Sequence, residues 1–474
     1  MSLHTKRDQL HAHVYQVGRL VSALVNANPD AITTPMRRSN VGTVAGCLVG
    51  VVIMVVVAFL GLFSPRAGDT WREPGTLVVV RETGSRYLVV DGTLRPVLNV
   101  ASALLAGAGG NRAVIIVSEK DLRGTPQGAP VGVPGAPEVV PSAGKLSAGP
   151  WLVCAVDVVR DDVAVPGVQL RLERPSGTVP VPDGGVVVVT PTGDHHLIWR
   201  DQRLRIADRK VLLALGLDAR TPVTVTPAWL NTVPAGPDLA FRSVPGAGEP
   251  GPVLGGTPTL VGQVVEVVTL SAPPAYYLVT QGGVAPIGRT DAALRLGDPT
   301  AAGTPGGNVG PVRLPAAAVA DHVIGSMATP EYPPDPPTAS NDIDFGRRSL
   351  CIEASFADEG VSYRPVTVDR TDLSGARAVA AAGRADKAVA DTVFVPLESG
   401  ALVASQAGPG VWDGGLYLVD RMGVRYPLPG EEVSAALGFG GVRPLEVPRP
   451  WLELLPTGPV LDPRQVTIER LWEN

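Results

Sequence analysis

Few residues of this chain are spaced for covalent chemistry. Gly246, Gly248 and Gly251 fit the Gly-x-Gly-x-x-Gly pattern that lets a backbone approach a pyrophosphate, but Pro245, Pro250 and Pro252 surround them. A phosphate cradle needs a strand before the turn and a helix N-terminus after it, so the segment reads as a linker. Gly144-Lys145 is followed by Leu146, and no Gly-x-x-x-x-Gly-Lys-[Ser/Thr] occurs, which leaves P-loop ATP hydrolysis unsupported. Cys-x-x-Cys, His-Glu-x-x-His and Gly-x-Ser-x-Gly are absent too. His195 and His196 open a predicted strand and point to opposite faces, one packed and one solvated. His11 and His13, two apart, share no helix face. Asp342 and Asp344 read as a solvated turn. No nucleophile, base and orienting acid assemble, so the expectation is no enzyme, no cofactor and no metal. Thiol chemistry remains, at Cys47, Cys154 and Cys351.

What the thiols can do depends on the elements that carry them. Cys47 lies in Val41–Phe63, a run without a charged residue. As an α-helix rising about 1.5 Å per residue, that run reaches about 34 Å, enough to cross a bilayer core of about 30 Å. Lys6, Arg7, Arg19, Arg37 and Arg38 outnumber Asp8 and Asp30 ahead of it, whereas Arg66 and Arg72 are balanced by Asp69 and Glu73 behind it. The positive-inside rule predicts a single-pass plasma (inner) membrane protein with Arg37 and Arg38 holding the N-terminus in the cytoplasm and the C-terminal part outside. The run is too long for a signal-peptide core and no Ala-x-Ala site follows, so an uncleaved anchor is expected. Cys154 and Cys351 are then the two thiols of an oxidising compartment and natural disulfide partners. The net charge of -5 is small, and with no basic cluster it argues against nucleic-acid binding.

The exterior part is rich in Gly (55 in the chain) and Pro (47), while 45% hydrophobic content excludes a disordered chain. Short Val-rich runs between Pro/Gly turns favour strands. A unit recurs four times. It begins with an aromatic or His and a short strand, at Tyr87, His196, Tyr277 and Tyr417. A turn follows, then a second strand carrying Arg95-Pro96, Leu204-Arg205, Ala285-Pro286 or Tyr426-Pro427, then an Ala/Leu segment with helical spacing. Gly216, Gly297 and Gly438 end three of these segments, as left-handed helix caps would. Three units close on Leu-x-x-x-Pro-x-Gly (Leu122/Pro126/Gly128, Leu230/Pro234/Gly236, Leu452/Pro456/Gly458). In the third unit, after the insert Asp298 to Gly310, the tail is degenerate.

Constant spacing across these anchors indicates repetition. A cysteine-bearing strand follows the first unit at Trp151-Leu-Val-Cys154 and the third at Ser349-Leu-Cys351, so the order repeat, Cys strand, repeat occurs twice. The expected fold is mixed α+β and β-rich: a single transmembrane helix plus an extracytoplasmic pseudo-two-fold central β-domain with four small repeat domains. Near its axis Cys154 and Cys351 could meet, closing a loop worth about 3–5 kcal/mol. The expected boundaries are a cytoplasmic amphipathic helix with basic flank (1–40), transmembrane helix (41–63), linker (64–74), first repeat (75–141) and first central half (146–194). The second repeat (195–244), a linker (245–258), the third repeat (259–328), a Pro-rich connector (329–344), the second central half (345–412) and the fourth repeat (413–474) follow.

In the head, Leu10, Val14, Val17, Val21 and Leu24 form one apolar helical stripe, with Arg19 among the polar positions, and Pro29 and Asp30 end it. A 40-residue head cannot bury that stripe, so it is expected to dock on a protein partner with membrane contact. Gly42, Gly46 and Gly50 sit four apart on one face of the span and would let another helix approach closely.

Tyr15-x-x-x-Arg19-x-x-x-Ala23-Leu24, Pro35-Met-Arg37-Arg38 before one span, Trp71, Glu82-Thr-Gly-Ser-Arg-Tyr87 and Leu94-Arg-Pro-Val-Leu-Asn-Val-Ala-Ser-Ala-Leu-Leu105 together resemble EccB, the membrane subunit of actinobacterial type VII (ESX) secretion systems. Val133-Pro-Gly-Ala-Pro137 and Trp151-x-x-Cys154 extend the resemblance over nearly the whole chain. It implies a cytoplasmic helix, one membrane helix, a central β-domain and four repeats similar to phage-lysin cell-wall-binding modules. It also implies a disulfide at Cys154 and Cys351. The partners it implies are the subunits EccC, EccD and EccE, the mycosin protease, the lipid bilayer and further copies of the chain, with the cell wall as an alternative ligand. Some family members carry an ATPase label. The function expected is a structural core subunit that anchors and organises the extracytoplasmic part of the secretion complex.

Overall fold

A computed structural model describes residues 6–27, 35–63, 69–108, 114–182, 185–270, 272–299, 310–325, 332–336, 338, 343–357, 360–379, 389–408 and 410–466. The chain divides into two units, Met1–Trp71 and Arg72–Asn474. The first contains α1 (Lys6–Asn26) and α2 (Pro35–Phe63). α1 stops at Ala27, whose φ of 50° leaves the helical region ahead of Pro29. α2 starts on a proline, which suits the first helical turn because its missing N–H would have had no partner there. It begins ahead of the uncharged run, so Arg37 and Arg38 lie on the helix rather than before it.

Among the described residues, the second unit is built of five sheets. The first lobe holds β1 (Leu77–Val80), β2 (Arg86–Val90), β3 (Thr93–Pro96), the short helix α3 (Val100–Ala103) and β4 (Val114–Val117). The central sheet takes β5 (Trp151–Arg160), β6 (Val163–Arg171) and β7 (Val179–Pro180). The second lobe has β8 (Val186–Val189), β9 (His195–Trp199), β10 (Gln202–Ile206), α4 (Arg209–Ala214), β11 (Val223–Thr224) and α5 (Pro227–Leu230). The third has β12 (Val264–Thr269), β13 (Ala272–Thr280), β14 (Gly283–Ile287), α6 (Arg289–Leu296), β15 (Val312–Leu314) and α7 (Ala316–Val319). The chain then returns to the central sheet with β16 (Arg348–Ala357), β17 (Gly360–Asp369), β18 (Arg377–Ala378) and β19 (Thr392–Phe394). It ends in a fourth lobe of β20 (Ala401–Gly408), β21 (Val411–Val419), β22 (Arg425–Leu428), α8 (Glu431–Ser434), β23 (Leu445–Pro448) and α9 (Arg449–Glu453).

All four lobes share one strand order, third-second-first-fourth, with the fourth strand parallel to the first after a helical crossover. The strands at Val186–Val189 and Ala401–Gly408, expected in the central β-structure, are instead the first strands of the second and fourth lobes. They look central in sequence because they are buried Val/Ala runs; only their partners reveal the sheet they join.

The Leu-x-x-x-Pro-x-Gly tail clasps the third strand. Leu94 N–H donates to Pro126 O and Gly128 N–H to Leu94 O; Arg203 with Pro234 and Gly236, and Arg425 with Pro456 and Gly458, repeat the pattern. Proline suits this edge because it needs no donor there. A Cβ on Gly236 or Gly458 would run into Leu204 or Tyr426. In the third lobe the stretch read as the degenerate tail, from Leu314, ends β15 and forms α7, and it is Ile324 beyond it whose N–H donates to Val284 O on the third strand.

The stretch expected to be a linker at 245–258 is folded. Gly248 N–H donates to Val261 O and Gly251 N–H to Thr259 O, and Leu254 is buried among Val265, Val279, Val284 and Val319. These glycine donors are spent in an irregular hairpin. Within the Pro-rich connector, Tyr332 is buried in the second lobe's core and its hydroxyl donates to Asp238 O (3.0 Å).

Cores join the lobes in pairs. Leu88, Ala101 and Leu105 of the first lobe pack with Leu402, Leu418 and Phe439 of the fourth. Leu294 of the third packs into the core of the second. At that contact Gly297, with φ of -83°, is not the left-handed cap expected from sequence, whereas Gly216 (66°) and Gly438 (96°) are. Its need for no side chain is steric: a Cβ there would collide with Ala214. Gly297→Val should therefore cost about 1–3 kcal/mol. A lower melting temperature, with faster hydrogen exchange confined to α4 and α6, would be the observation.

Candidate functional site

The two halves meet in the middle of the seven-stranded sheet, whose order is β18-β19-β6-β5-β16-β17-β7. Each half contributes a long hairpin, β5–β6 and β16–β17. The inner strands β5 and β16 pair antiparallel with Cys154 directly opposite Cys351. Each half then sends a short strand to the other's hairpin: β7 onto β17 and β19 onto β6. This exchange leaves neither half a complete sheet alone.

Cys154 and Cys351 are disulfide-bonded across a sequence separation of 197. Both are wholly buried, among Leu152, Val366, Val368 and Leu373. Alternation puts polar neighbours on the same face. Gln169 donates to Leu373 O and Thr392 Oγ1, both at 3.1 Å. The Arg171 guanidinium lies 3.8 Å over the Phe394 ring, and burial pulls its pKa below the ordinary value against the charges of Glu173 and Asp372. Glu353, 4% exposed, faces Arg174 at 3.2 Å. Asp391 accepts from Val168 N–H (2.9 Å) and pairs with Arg160, tying the segment before β19 to the first hairpin.

The opposite face carries the tryptophans. Trp229 on α5 donates through Nε1 to Val153 O (3.0 Å), and Trp451 on α9 donates through Nε1 to Thr232 O (2.9 Å). Both indoles are 0% exposed, and both precede the Leu of the repeated tail. Phe356 stands edge-on to Trp151 (5.5 Å) and to Trp451 (6.4 Å), and Tyr363 lies 6.3 Å from Trp451. The tails of the second and fourth lobes thus dock into one aromatic core on the central sheet.

Burial and the nearby charge of Asp201 push the Tyr363 phenol up to about 12. The folded state therefore keeps its proton where the unfolded chain, near 10, loses it. The resulting stabilisation is complete below pH about 10 and is lost as pH rises through about 12. Ultraviolet titration should show Tyr363 among the tyrosines that ionise late, and Tyr363→Phe should shrink that late phase without abolishing it, because burial and Asp420 hold the Tyr426 phenol up as well.

Other residues singled out by sequence belong to other elements. Leu10, Val14, Val17 and Leu24 are exposed on α1 (61%, 63%, 44% and 84%), Val21 is half-buried, and Arg19 is exposed. Gly42, Gly46 and Gly50 face open space on α2, and Cys47 is a free exposed thiol. The side chains of Arg37 and Arg38 lie outside the described residues, as does Asp342. The described side chains of α2 end at Val57, and over the described residues alone no helix is long and apolar enough to cross a membrane. His195 Nδ1 lies 3.0 Å from Gly193 O, and His196 is buried. Burial holds the His196 pKa down, with Arg203 adding to the effect. Among the described residues no three His, Cys, Asp or Glu side chains gather to hold a metal.

A family model described as "Type VII secretion system ESX-1, transport TM domain B" matches residues 2–471. The ESX-1 secretion system ATPase EccB1 of Mycobacterium tuberculosis is 28% identical, over 98% of this chain and 95% of that protein. The ESX-3 secretion system ATPase EccB3 of Mycolicibacterium smegmatis is 28% identical over 96% and 89%. A chain in a solved intact ESX-5 inner membrane complex superposes with a TM-score of 0.67 at 24% identity, covering 99% of this chain and 96% of its own length. A chain of the EccB3 dimer from the ESX-3 core complex gives 0.66 at 26%, over 83% and 100%.

Proposed function

We propose, from the premise that this chain belongs to the EccB family of type VII secretion membrane proteins, that it is a non-catalytic structural subunit of an ESX inner-membrane complex. In this reading it anchors and organises the extracytoplasmic part of the assembly. The extent of the family match carries the reading: residues 2–471 take in the head helix, α2 and all five sheets, so anchor and exterior unit belong to one family design.

α2 is the membrane span in this account. Its 29 residues reach about 43 Å at about 1.5 Å per residue. The uncharged sequence continues beyond the described side chains to Phe63. Arg37 and Arg38 keep the head cytoplasmic, and the Gly42/Gly46/Gly50 face receives a neighbouring helix. The exposed stripe of α1 docks on the cytoplasmic side of the complex, and EccC, EccD, EccE and the mycosin protease are the companions. The common strand order of the four lobes supports treating them as copies of one repeat around the central sheet.

The relatives carry the word ATPase in their names. Against hydrolysis by this chain stands a sequence without a P-loop motif. Gentle extraction of the tagged full chain from membranes, with its companions identified by mass spectrometry, tests the proposal. Recovery of the other secretion subunits is expected; a chain that purifies alone and turns over ATP would contradict it.

A further inference from the structure

The fourth lobe has a cleft of about 760 Å³ that the central sheet does not use. One wall is a face of the four-stranded sheet. Trp412 pairs with Gln406 in the ladder, and Ala404 lies between Leu416 and Glu446. The other wall is α8 with its continuation, which brings Glu431, Glu432 and Phe439 to the cleft, followed by the loop carrying Arg443. The floor is apolar: Leu416 and Phe439 belong to the core shared with the first lobe.

The rim has an unusual balance. Trp412 is 65% exposed, although an indole normally finds cover. Arg443 lies 3.7 Å from Glu446, which also accepts from Gln406 Nε2 at 2.6 Å. Glu431 and Glu432 are exposed and form no ion pair among the described residues. The cleft is therefore net negative beside an uncovered aromatic face. A neutral ligand would gain from the indole but leave the carboxylates with water. A cation gains from both, because an ammonium or guanidinium over an indole is attracted by the ring and by nearby carboxylates. The volume is that of a ligand site, and the apolar floor asks for a hydrophobic group beside the charge.

We propose that this cleft is a docking site for an extended segment of a partner protein, one that carries an arginine or lysine next to an apolar side chain. Trp412 and Glu431/Glu432 hold the cation, and the Leu416/Phe439 floor takes the apolar group. The site stands on the geometry of the fourth lobe and is independent of the assembly role.

The test uses the full chain in detergent and a dye-labelled blocked peptide, acetyl-Leu-Arg-Leu-Arg-amide, followed by fluorescence anisotropy. The glutamine counterpart, acetyl-Leu-Gln-Leu-Gln-amide, and the neutral sugar chitotetraose are the comparisons. The arginine peptide should bind about tenfold more tightly than the glutamine peptide and weaken as salt rises. Trp412→Ala and the double variant Glu431→Gln/Glu432→Gln should each lose about tenfold in affinity. These positions are exposed, and an unchanged melting temperature identifies the variants as folded. If Trp412→Ala melts early, the charge variant decides. Equal binding of the two peptides, variants that bind like the parent, or chitotetraose binding while the arginine peptide does not, would overturn the proposal.

Discussion

Replacing Cys154 and Cys351 together by alanine is expected to cost the Arg72–Asn474 unit about 5 kcal/mol. The bond closes a loop of 197 residues, and on the chain-entropy model a loop of that length restricts the unfolded ensemble by about that amount. Alanine is the right replacement because both sites are fully buried in an apolar cluster, where a serine hydroxyl would add its own desolvation cost. Either single substitution should lose nearly as much as the double, since one cysteine cannot bridge. Denaturant unfolding followed by tryptophan fluorescence checks this: the oxidised parent should unfold at much higher denaturant than the double variant, and reduced parent should resemble the variant. Coincident midpoints for all three would show that the halves are held by strand exchange and packing alone.

The second large effect is expected at Trp451. Its indole is fully buried, touches Phe356 and Tyr363 of the central sheet, and donates to Thr232 O of the second lobe. One side chain thus joins the fourth lobe, the centre and the second lobe. Trp451→Ala should cost about 3–5 kcal/mol through the cavity and lost contacts. Trp451→Phe keeps most of the apolar area and loses the hydrogen bond, leaving Thr232 O without its partner, so about 1–3 kcal/mol is expected. Hydrogen exchange gives the location. In the alanine variant, amides of α5 and α9 should exchange faster together, because the two tails share one core. Faster exchange in α9 alone would mean that the second lobe docks independently.

How much of this was legible depended on the range of the physics involved. The repeated turn, second strand and helix are local, and their anchors at Tyr87, His196, Tyr277 and Tyr417 fall in or beside the observed second strands. The meeting of Cys154 with Cys351 was legible because Cys47 sits in the uncharged run, which leaves two thiols, each on a strand in the same place of a duplicated order, as partners. The first strands of the second and fourth lobes were harder. Val186–Val189 and Ala401–Gly408 are buried runs with no alternation, and such runs announce a strand but not its sheet. The stretch around Gly246 and Gly251 looked like a linker because proline and glycine dominate it. Burial of Leu254 and the hairpin's backbone bonds order it nonetheless. The docking of Trp229 and Trp451 had a signal that went unread: both stand immediately before the tail leucine, in the second and fourth units alone. The cleft beside Trp412 had none, because one wall is a sheet face and the other is the crossover through α8, which only the fold brings together.

The most direct test of the account is the size of the secretion complex in the membrane. Mild-detergent extracts of cells with and without this chain, run on native gels and probed for EccC, EccD and EccE, compare the assembly in the two states. If the chain organises the complex, those subunits should migrate as one large species only when it is present, and restoring the intact chain should restore that species. A full-sized complex of the other subunits formed without this chain would contradict the structural role.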